Sequence, residues 1–175
     1  MNASVLRLVP FMRAVVPGAA TVLLVFVAAT RLGIPFLPAV SPFLALGAVY
    51  FWGIYYPALM PGWVAFALGL LQDLLTGSPA GLTALILLLA REVAVSQRRV
   101  VLGQTFGVEW AGFVLVAVGA AVVSWILANL YAGALVRLDP LVVQGLLTVA
   151  LYPGLSWLLT QAARVAPGSR QVLAP

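Results

Sequence analysis

The stretch GLLQDLLTGSPAGL, from Gly69 to Leu82, holds an apolar run, an acid within it and a turn. The Gly-Ser-Pro sequence interrupts the run, because proline removes an amide donor and glycine accepts turn conformations. Apolar residues continue on both sides, so the stretch predicts two helices joined by a tight hairpin. Asp73 lies four residues before the turn and is the only charged residue of the stretch.

The composition places most of the chain in lipid. Of its 175 residues, 64% are hydrophobic and 7% are charged, and the mean hydropathy is +1.15. A soluble domain keeps roughly a quarter of its residues charged, so this chain has too little polar surface for a globule in water. The apolar runs are continuous rather than alternating, which favours helices over a membrane barrel. We therefore expect an all-α integral membrane protein.

The residue types that most often carry chemistry are missing from the sequence. It contains no Cys and no His, which excludes disulfides, thiol nucleophiles, histidine bases and the usual zinc ligands. All nine basic residues are Arg, spread in ones and twos rather than gathered in a nucleic-acid-binding patch. We expect no catalytic site, no metal, no cofactor and no nucleic-acid partner.

Hydropathy and the positions of proline and glycine divide this single membrane domain into six predicted spans. They cover about residues 14–30, 43–56, 62–76, 80–96, 110–131 and 140–163, followed by a short cytoplasmic tail at 164–175. A proline-rich link precedes the second span, and the stretch SQRRVVLGQTFGVE, Ser96 to Glu109, is assigned to the loop between the fourth and fifth spans.

The arginines give this arrangement an orientation. With six spans, both termini share one side of the membrane with the second and fourth connections. The other side holds only Arg31 and Arg137, whereas the side of the termini holds Arg7, Arg13, Arg98, Arg99, Arg164 and Arg170. Because cytoplasmic connections carry the excess of basic residues, we expect both termini in the cytoplasm.

Asp73 requires an explanation, since an acid inside a membrane is costly unless it is paired, hydrated or neutral. Helical spacing places it on a small and polar face of the third span, together with Gly62, Ala65, Phe66, Gly69, Gln72 and Thr76. We expect Gly69 and Asp73 to face inward, against another helix or a partner protein. Three roles stay open for Asp73: bonding to the turn (Thr76, Ser78 or backbone groups), contact with a partner, and ion conduction.

A site built from two carboxylates is not expected. A rise of about 1.5 Å per residue separates the depths of Asp73 and Glu92 by roughly 15 Å along an antiparallel pair of helices. Arg91 and Glu92 should instead reach the cytoplasmic interface or pair with a loop.

The sixth span carries a polar stripe with a spacing of four residues. Its members are Gln144, Thr148, Tyr152, Ser156, Thr160 and Arg164. Such a ridge packs into the groove of another helix, either inside the bundle or on a transmembrane helix of a partner. Pro153 cannot donate a backbone hydrogen bond, so it frees a carbonyl one turn earlier and loosens the helix there.

The order of these features resembles the MreD family of bacterial rod shape-determining membrane proteins over nearly the whole chain. The family pattern is Gly-Leu, then Asp, then a small-Pro-x-Gly turn, and it is matched here by Gly69, Asp73, Gly77, Pro79 and Gly81. The late Tyr-Pro pair of the family is matched by Tyr152 and Pro153. Thr83 departs from the family, in which many members have a histidine or another polar residue close by.

The resemblance implies a non-enzymatic scaffold subunit of the cell-elongation machinery in the bacterial cytoplasmic (inner) membrane, where it helps organise peptidoglycan synthesis and cell shape. MreC is the expected direct partner. MreB and the synthase formed by RodA and a class B penicillin-binding protein are expected to be indirect partners. The expected partner-binding or structural residues are Gln72 and the seven motif residues named above.

A more distant resemblance, to the S-components of energy-coupling-factor vitamin transporters, supplies a second hypothesis. S-components are six-helix membrane proteins that bind small molecules. Under this hypothesis the chain is a transport subunit with an outward pocket. The lining of that pocket is expected to be Trp52, Tyr55, Tyr56, Gln72 and Asp73.

Overall fold

The computed structural model of the protein describes residues 18–26, 43–133 and 138–165, and these residues form six helices and no strand. We number the helical segment 18–26 as α1. The five that follow are α2 (Leu44–Tyr55), α3 (Gly62–Thr76), α4 (Leu82–Val101), α5 (Phe106–Ala132) and α6 (Asp139–Val165). The all-helical expectation is confirmed. Both ends of the predicted first span, the proline-rich link and the tail from residue 166 lie outside the described residues.

The predicted loop from Ser96 to Glu109 is much shorter in the structure. α4 continues to Val101 and α5 begins at Phe106, so only residues 102–105 connect them. Arg98 and Arg99 occupy the last turn of α4, where a positive charge stabilises the helix dipole. Glu109 therefore lies in the first turn of α5 and not in a loop.

The bundle is organised around α2. All ten residues from Ala45 to Ile54 are buried, and α2 packs against α3, α4, α5 and α6. α3 and α4 form the closely packed hairpin that the sequence predicts. We call the end with the turn at 77–81 the hairpin end. The opposite end, where α4 finishes with Arg98 and Arg99 and α5 begins, is the arginine end.

Glycine permits the closest helix contact in the hairpin. A Cβ atom built on Gly69 would overlap the Cα atom of Ala84 and lie 2.6 Å from its backbone nitrogen. No side chain can be accommodated there without moving backbone, because the obstructing atoms belong to α4 itself. Gly69 faces α4 as predicted, which answers why a glycine precedes Asp73 by one turn.

Two of the described helices, at Phe106–Tyr131 and Asp139–Ala163, are long and apolar enough to cross a membrane. α2 and α3 are apolar but shorter, with 12 and 15 residues. α4 has 20 residues, but Arg91, Glu92 and the two arginines of its last turn interrupt its apolar character. The described residues thus form six helices, while six membrane spans stay a prediction.

We expect Gly69→Ala to lower the free energy of unfolding by about 1–3 kcal/mol, the usual cost of overpacking. Gly119→Ala is the matched control, because a Cβ there meets no atom within 4 Å and alanine favours a helix. Thermal unfolding of both variants in the same detergent would measure the difference. Equal melting temperatures would contradict the close contact between α3 and α4.

Candidate functional site

Asp73 forms hydrogen bonds at two helix ends. Its backbone carbonyl bonds at the C-terminus of α3, and its carboxylate bonds at the N-terminus of α4. Its carbonyl oxygen accepts the N–H of Gly77 and, at 3.1 Å, the N–H of Ser78, which closes α3 with a left-handed glycine at φ 70°. This pairing satisfies donors that follow a helix C-terminus, as in the Schellman type of ending. The side chain meanwhile leaves α3 and reaches the start of α4.

The carboxylate of Asp73 caps α4 from the neighbouring helix. Its Oδ2 atom accepts the N–H of Gly81 at 2.8 Å, and both oxygens accept the N–H of Thr83, at 3.1 and 3.2 Å. The N-cap residue of α4 is Gly81, which has no side chain to cap the helix and adopts φ 97°. Asp73 supplies the missing acceptor, and its charge suits the positive end of the helix dipole.

This geometry shows one of the three roles that the sequence left open for Asp73. The residue is 1% exposed, and both carboxylate oxygens are directed at backbone groups of the turn and of α4. Bonding to the turn is therefore what the structure shows. Among the hydroxyls expected to take part, Thr76 instead donates to the carbonyl of Gln72 at 2.8 Å and lies 2.9 Å from the hydroxyl of Ser78.

The predicted inward face of α3 is correct only in part. Ala65, Gly69 and Asp73 are buried, but Phe66 and Thr76 are exposed. The face is narrower than the helical spacing suggested, because α3 packs mainly against one helix, α4. Gln72 is partly buried, and its Oε1 atom is enclosed without a hydrogen-bond donor among the described groups.

Arg91 and Glu92 lie away from Asp73, as expected. Arg91 donates to Glu92 at 2.6 Å and, through Nε, to the carbonyl of Met60 at 3.1 Å. Met60 belongs to the connection between α2 and α3, so the predicted pairing with a loop is confirmed. The Glu92 side chain is 57% exposed, as a surface ion pair would be.

A second polar cluster, at the arginine end, was not predicted. Its centre is Glu109, which is 5% exposed. Oε2 accepts the hydroxyl of Tyr55 at 2.8 Å, and Oε1 accepts those of Tyr152 at 2.5 Å and Ser156 at 3.4 Å. We call these four residues the Glu109 cluster. It joins α2, α5 and α6.

Tyr50 extends this polar region toward α4. Its hydroxyl lies 3.4 Å from the backbone carbonyl of Glu109 and 3.3 Å from Oε1 of Gln97, to either of which it can donate. The hydroxyl also occupies the space beside Gly112, where a Cβ atom would lie only 2.5 Å from it. The absence of a side chain at Gly112 therefore makes room on α5 for a tyrosine from α2.

The polar stripe of α6 faces the bundle interior. Thr148, Tyr152 and Ser156 are all buried, and the Oγ1 atom of Thr148 accepts the N–H of Phe43 at 2.9 Å. The middle of the stripe is therefore occupied by this chain's own helices and is not open to a partner helix. The side chain of Arg164, the last member, lies outside the described residues.

Pro153 lies inside the continuous helix α6, and the carbonyl that it frees is bonded by another side chain. Proline at this position cannot bond to the carbonyl of Val149, four residues earlier. The indole N–H of Trp110 donates to that carbonyl at 3.3 Å. The Tyr-Pro pair of α6 thus permits two hydrogen bonds with the first turns of α5. Tyr152 donates to Glu109, and the Val149 carbonyl that Pro153 leaves free accepts from Trp110.

Sequence reasoning missed Glu109 because its segment was assigned to a loop, where an acid is unremarkable. One signal could have found it. Glu109 follows Thr105 by four residues, and an acid close behind a Thr that precedes an apolar run is typical of a helix start. Its tyrosine partners lie 54 and 43 residues away in the chain, which no local pattern reveals.

The groups proposed to line an outward pocket do not converge. Trp52 is 1% exposed, and Tyr55 binds Glu109 at the arginine end, whereas Asp73 is committed at the hairpin end. A cavity of about 370 Å³ does occur between α5 and α6, with an apolar lining that includes Ala117, Ala121 and Gly145. It offers few polar groups to orient a solute.

Comparisons with known proteins assign no family. No family model matches the chain, and neither a curated protein nor a solved structure matches it significantly.

We expect Asp73→Asn to lower the free energy of unfolding by about 1–3 kcal/mol, because the new amide NH₂ cannot accept and faces backbone donors. Hydrogen exchange at the start of α4 should accelerate in the same variant. Asp139→Asn is the control, since Asp139 is an exposed acid in the first turn of α6. Unchanged exchange at Thr83 in the Asp73 variant would contradict the cap.

We expect Tyr152→Phe to destabilise the protein by about 1–3 kcal/mol, since it removes a hydroxyl donor from a buried carboxyl oxygen. The phenylalanine retains the ring that stacks on Phe113, with centroids 4.0 Å apart. Tyr131→Phe is the matched control, because Tyr131 is exposed. Chemical unfolding of both variants measures the effect, and identical midpoints would contradict the importance of the Glu109 cluster.

Proposed function

We propose that the protein is a non-enzymatic scaffold subunit of the bacterial cell-elongation machinery, with six spans in the cytoplasmic membrane and both termini in the cytoplasm. The observation that carries the proposal is the stretch from Gly69 to Gly81. The residues of this stretch that match the MreD family pattern together build one helical hairpin. Gly69 admits α4, Asp73 caps it, and the left-handed Gly77 and Gly81 form the turn.

The polar residues of the bundle support a structural role over chemistry. The oxygens of both buried acids, Asp73 and Glu109, accept hydrogen bonds from the chain's own groups. Catalysis needs a reactive group positioned toward a substrate, and transport needs polar groups converging on a cavity. Neither acid is presented in this way.

The apolar exterior supports a place in the bilayer. α5 and α6 expose large residues along their length, among them Leu115, Ile126, Leu146 and Trp157. Exposed apolar surface of this extent faces lipid or the transmembrane helix of another protein. The arginine excess on the side of the termini supports the cytoplasmic assignment of that side.

MreC is the proposed direct partner, with MreB and the synthase of RodA and a class B penicillin-binding protein reached through it. We expect MreC to co-purify with the tagged protein after extraction in a mild detergent. If MreC is absent from a preparation that retains other membrane assemblies, the scaffold proposal fails. A vitamin-like molecule in that preparation, with saturable uptake by cells expressing the protein, would favour the S-component alternative.

The variant Asp73→Leu tests the hairpin within this function. We expect less protein in the membrane, and less MreC recovered per folded molecule, because α4 loses its cap. Leu74→Ala is the neighbouring control, since Leu74 is exposed and takes no part in the cap. Normal protein levels, normal MreC recovery and normal cell shape with Asp73→Leu would remove the role assigned to Asp73.

A further inference from the structure

Two arginine side chains at the arginine end have no partner among the described groups. Arg98 and Arg99 lie in the last turn of α4, and neither forms an ion pair or a side-chain hydrogen bond there, whereas Arg91 bonds to Glu92. Arg98 is only partly buried, yet its Nε atom is enclosed without an acceptor. The described part of the chain therefore supplies no acceptor to either guanidinium.

The chain has no acidic side chain left to neutralise these two charges. It contains four acids, and all four lie in the described residues. Glu92 is paired with Arg91, and Asp73 and Asp139 lie at the hairpin end. Glu109 lies at the arginine end, but it is 5% exposed and its carboxyl accepts tyrosine hydroxyls inside the bundle. An anion that neutralises the two arginines therefore belongs to another molecule.

Exposed apolar side chains at the same end indicate the surroundings of that anion. Val100 and Leu102 are exposed beside the arginines, and Phe106 and Trp110 are exposed in the first turns of α5. Only four residues connect the two helices, so these side chains lie at a similar depth. Exposed aromatic residues beside arginines are typical of the level of lipid headgroups, where the alkyl part of arginine stays in apolar surroundings and the guanidinium reaches the polar layer.

We propose that Arg98 and Arg99 bind the phosphate group of an anionic phospholipid at the arginine end. A guanidinium binds phosphate oxygens through charge-assisted N–H donors, and the acyl chains of the same lipid cover the exposed apolar side chains beside it. An acidic segment of a protein would match the charge but would leave that apolar surface uncovered. The inference rests on the membrane placement in the proposed function and adds a ligand class to it.

The test measures which phospholipid the full-length protein retains. The purified protein is mixed in detergent with equal amounts of phosphatidylglycerol and phosphatidylcholine of the same acyl chains, and bound lipid is counted by native mass spectrometry. An arginine near an anionic lipid contributes about 1 kcal/mol, which is about fivefold in affinity. We therefore expect the preference for phosphatidylglycerol to fall about fivefold in Arg98→Gln and in Arg99→Gln, and to disappear in the double variant.

Arg91→Gln is the matched control, because it removes the same charge from α4 at a residue that already has an acidic partner. It should retain the wild-type preference. A preference that persists in the double variant, or that falls equally in Arg91→Gln, overturns the proposal. If the double variant does not fold, Arg99→Gln decides, since Arg99 is exposed.

The lipid comparison also separates this inference from the proposed function. Equal retention of the two lipids by the wild-type protein overturns the inference alone, whereas retention of neither overturns the membrane placement with it. Equal retention together with a loss of MreC recovery in the double variant would assign the arginines to an acidic segment of a protein, and would overturn the lipid site.

Discussion

The helical hairpin depends on the hydrogen bonds between the Asp73 carboxylate and the first amides of α4. In surroundings without water, an unpaired backbone N–H costs several kcal/mol, so a helix cannot begin there without an acceptor. The turn needs glycine at its left-handed position 81, and glycine has no side chain to provide one. For the N–H groups of Gly81 and Thr83 the acceptor comes from another helix, where Asp73 lies one turn before the end of α3.

The same constraint recurs at the opposite end of the bundle. Two of the four acids in the sequence are buried in the described structure, and the carboxylate of each accepts hydrogen bonds beside the start of a helix. Asp73 caps α4 from outside, while Glu109 stands in the first turn of α5 and gathers hydroxyls from α2 and α6. Asp73 thus joins α3 and α4, which follow each other in the sequence. Glu109 joins α5 to α2 and α6 through residues far away in the sequence.

The sequence distance between each acid and its hydrogen-bond partners explains how much of the candidate site was predictable. The inward direction of Gly69 and Asp73, and the polar stripe through Thr148, Tyr152 and Ser156, follow from helical periodicity. That the stripe is covered by this chain's own helices is known only from the structure. The Asp73 cap is local, since its partners lie within ten residues. The Glu109 cluster depends on contacts between helices distant in sequence, and on the extension of α5 beyond its apolar stretch. The first turn of α5, FGVE, is assigned to a loop by hydropathy, because hydropathy identifies long apolar runs and not helix caps.

The sequence by itself determined the all-helical class, the hairpin between α3 and α4, and the inward direction of Gly69, because each follows from composition, turn residues or local spacing. Only the tertiary structure decided that α2 is the central helix, that Trp110 bonds to the carbonyl freed by Pro153, and that Glu109 is enclosed by tyrosines. These outcomes depend on which helices become neighbours. A pattern of apolar residues predicts that a helix face is buried, but it does not identify the helix that packs against that face.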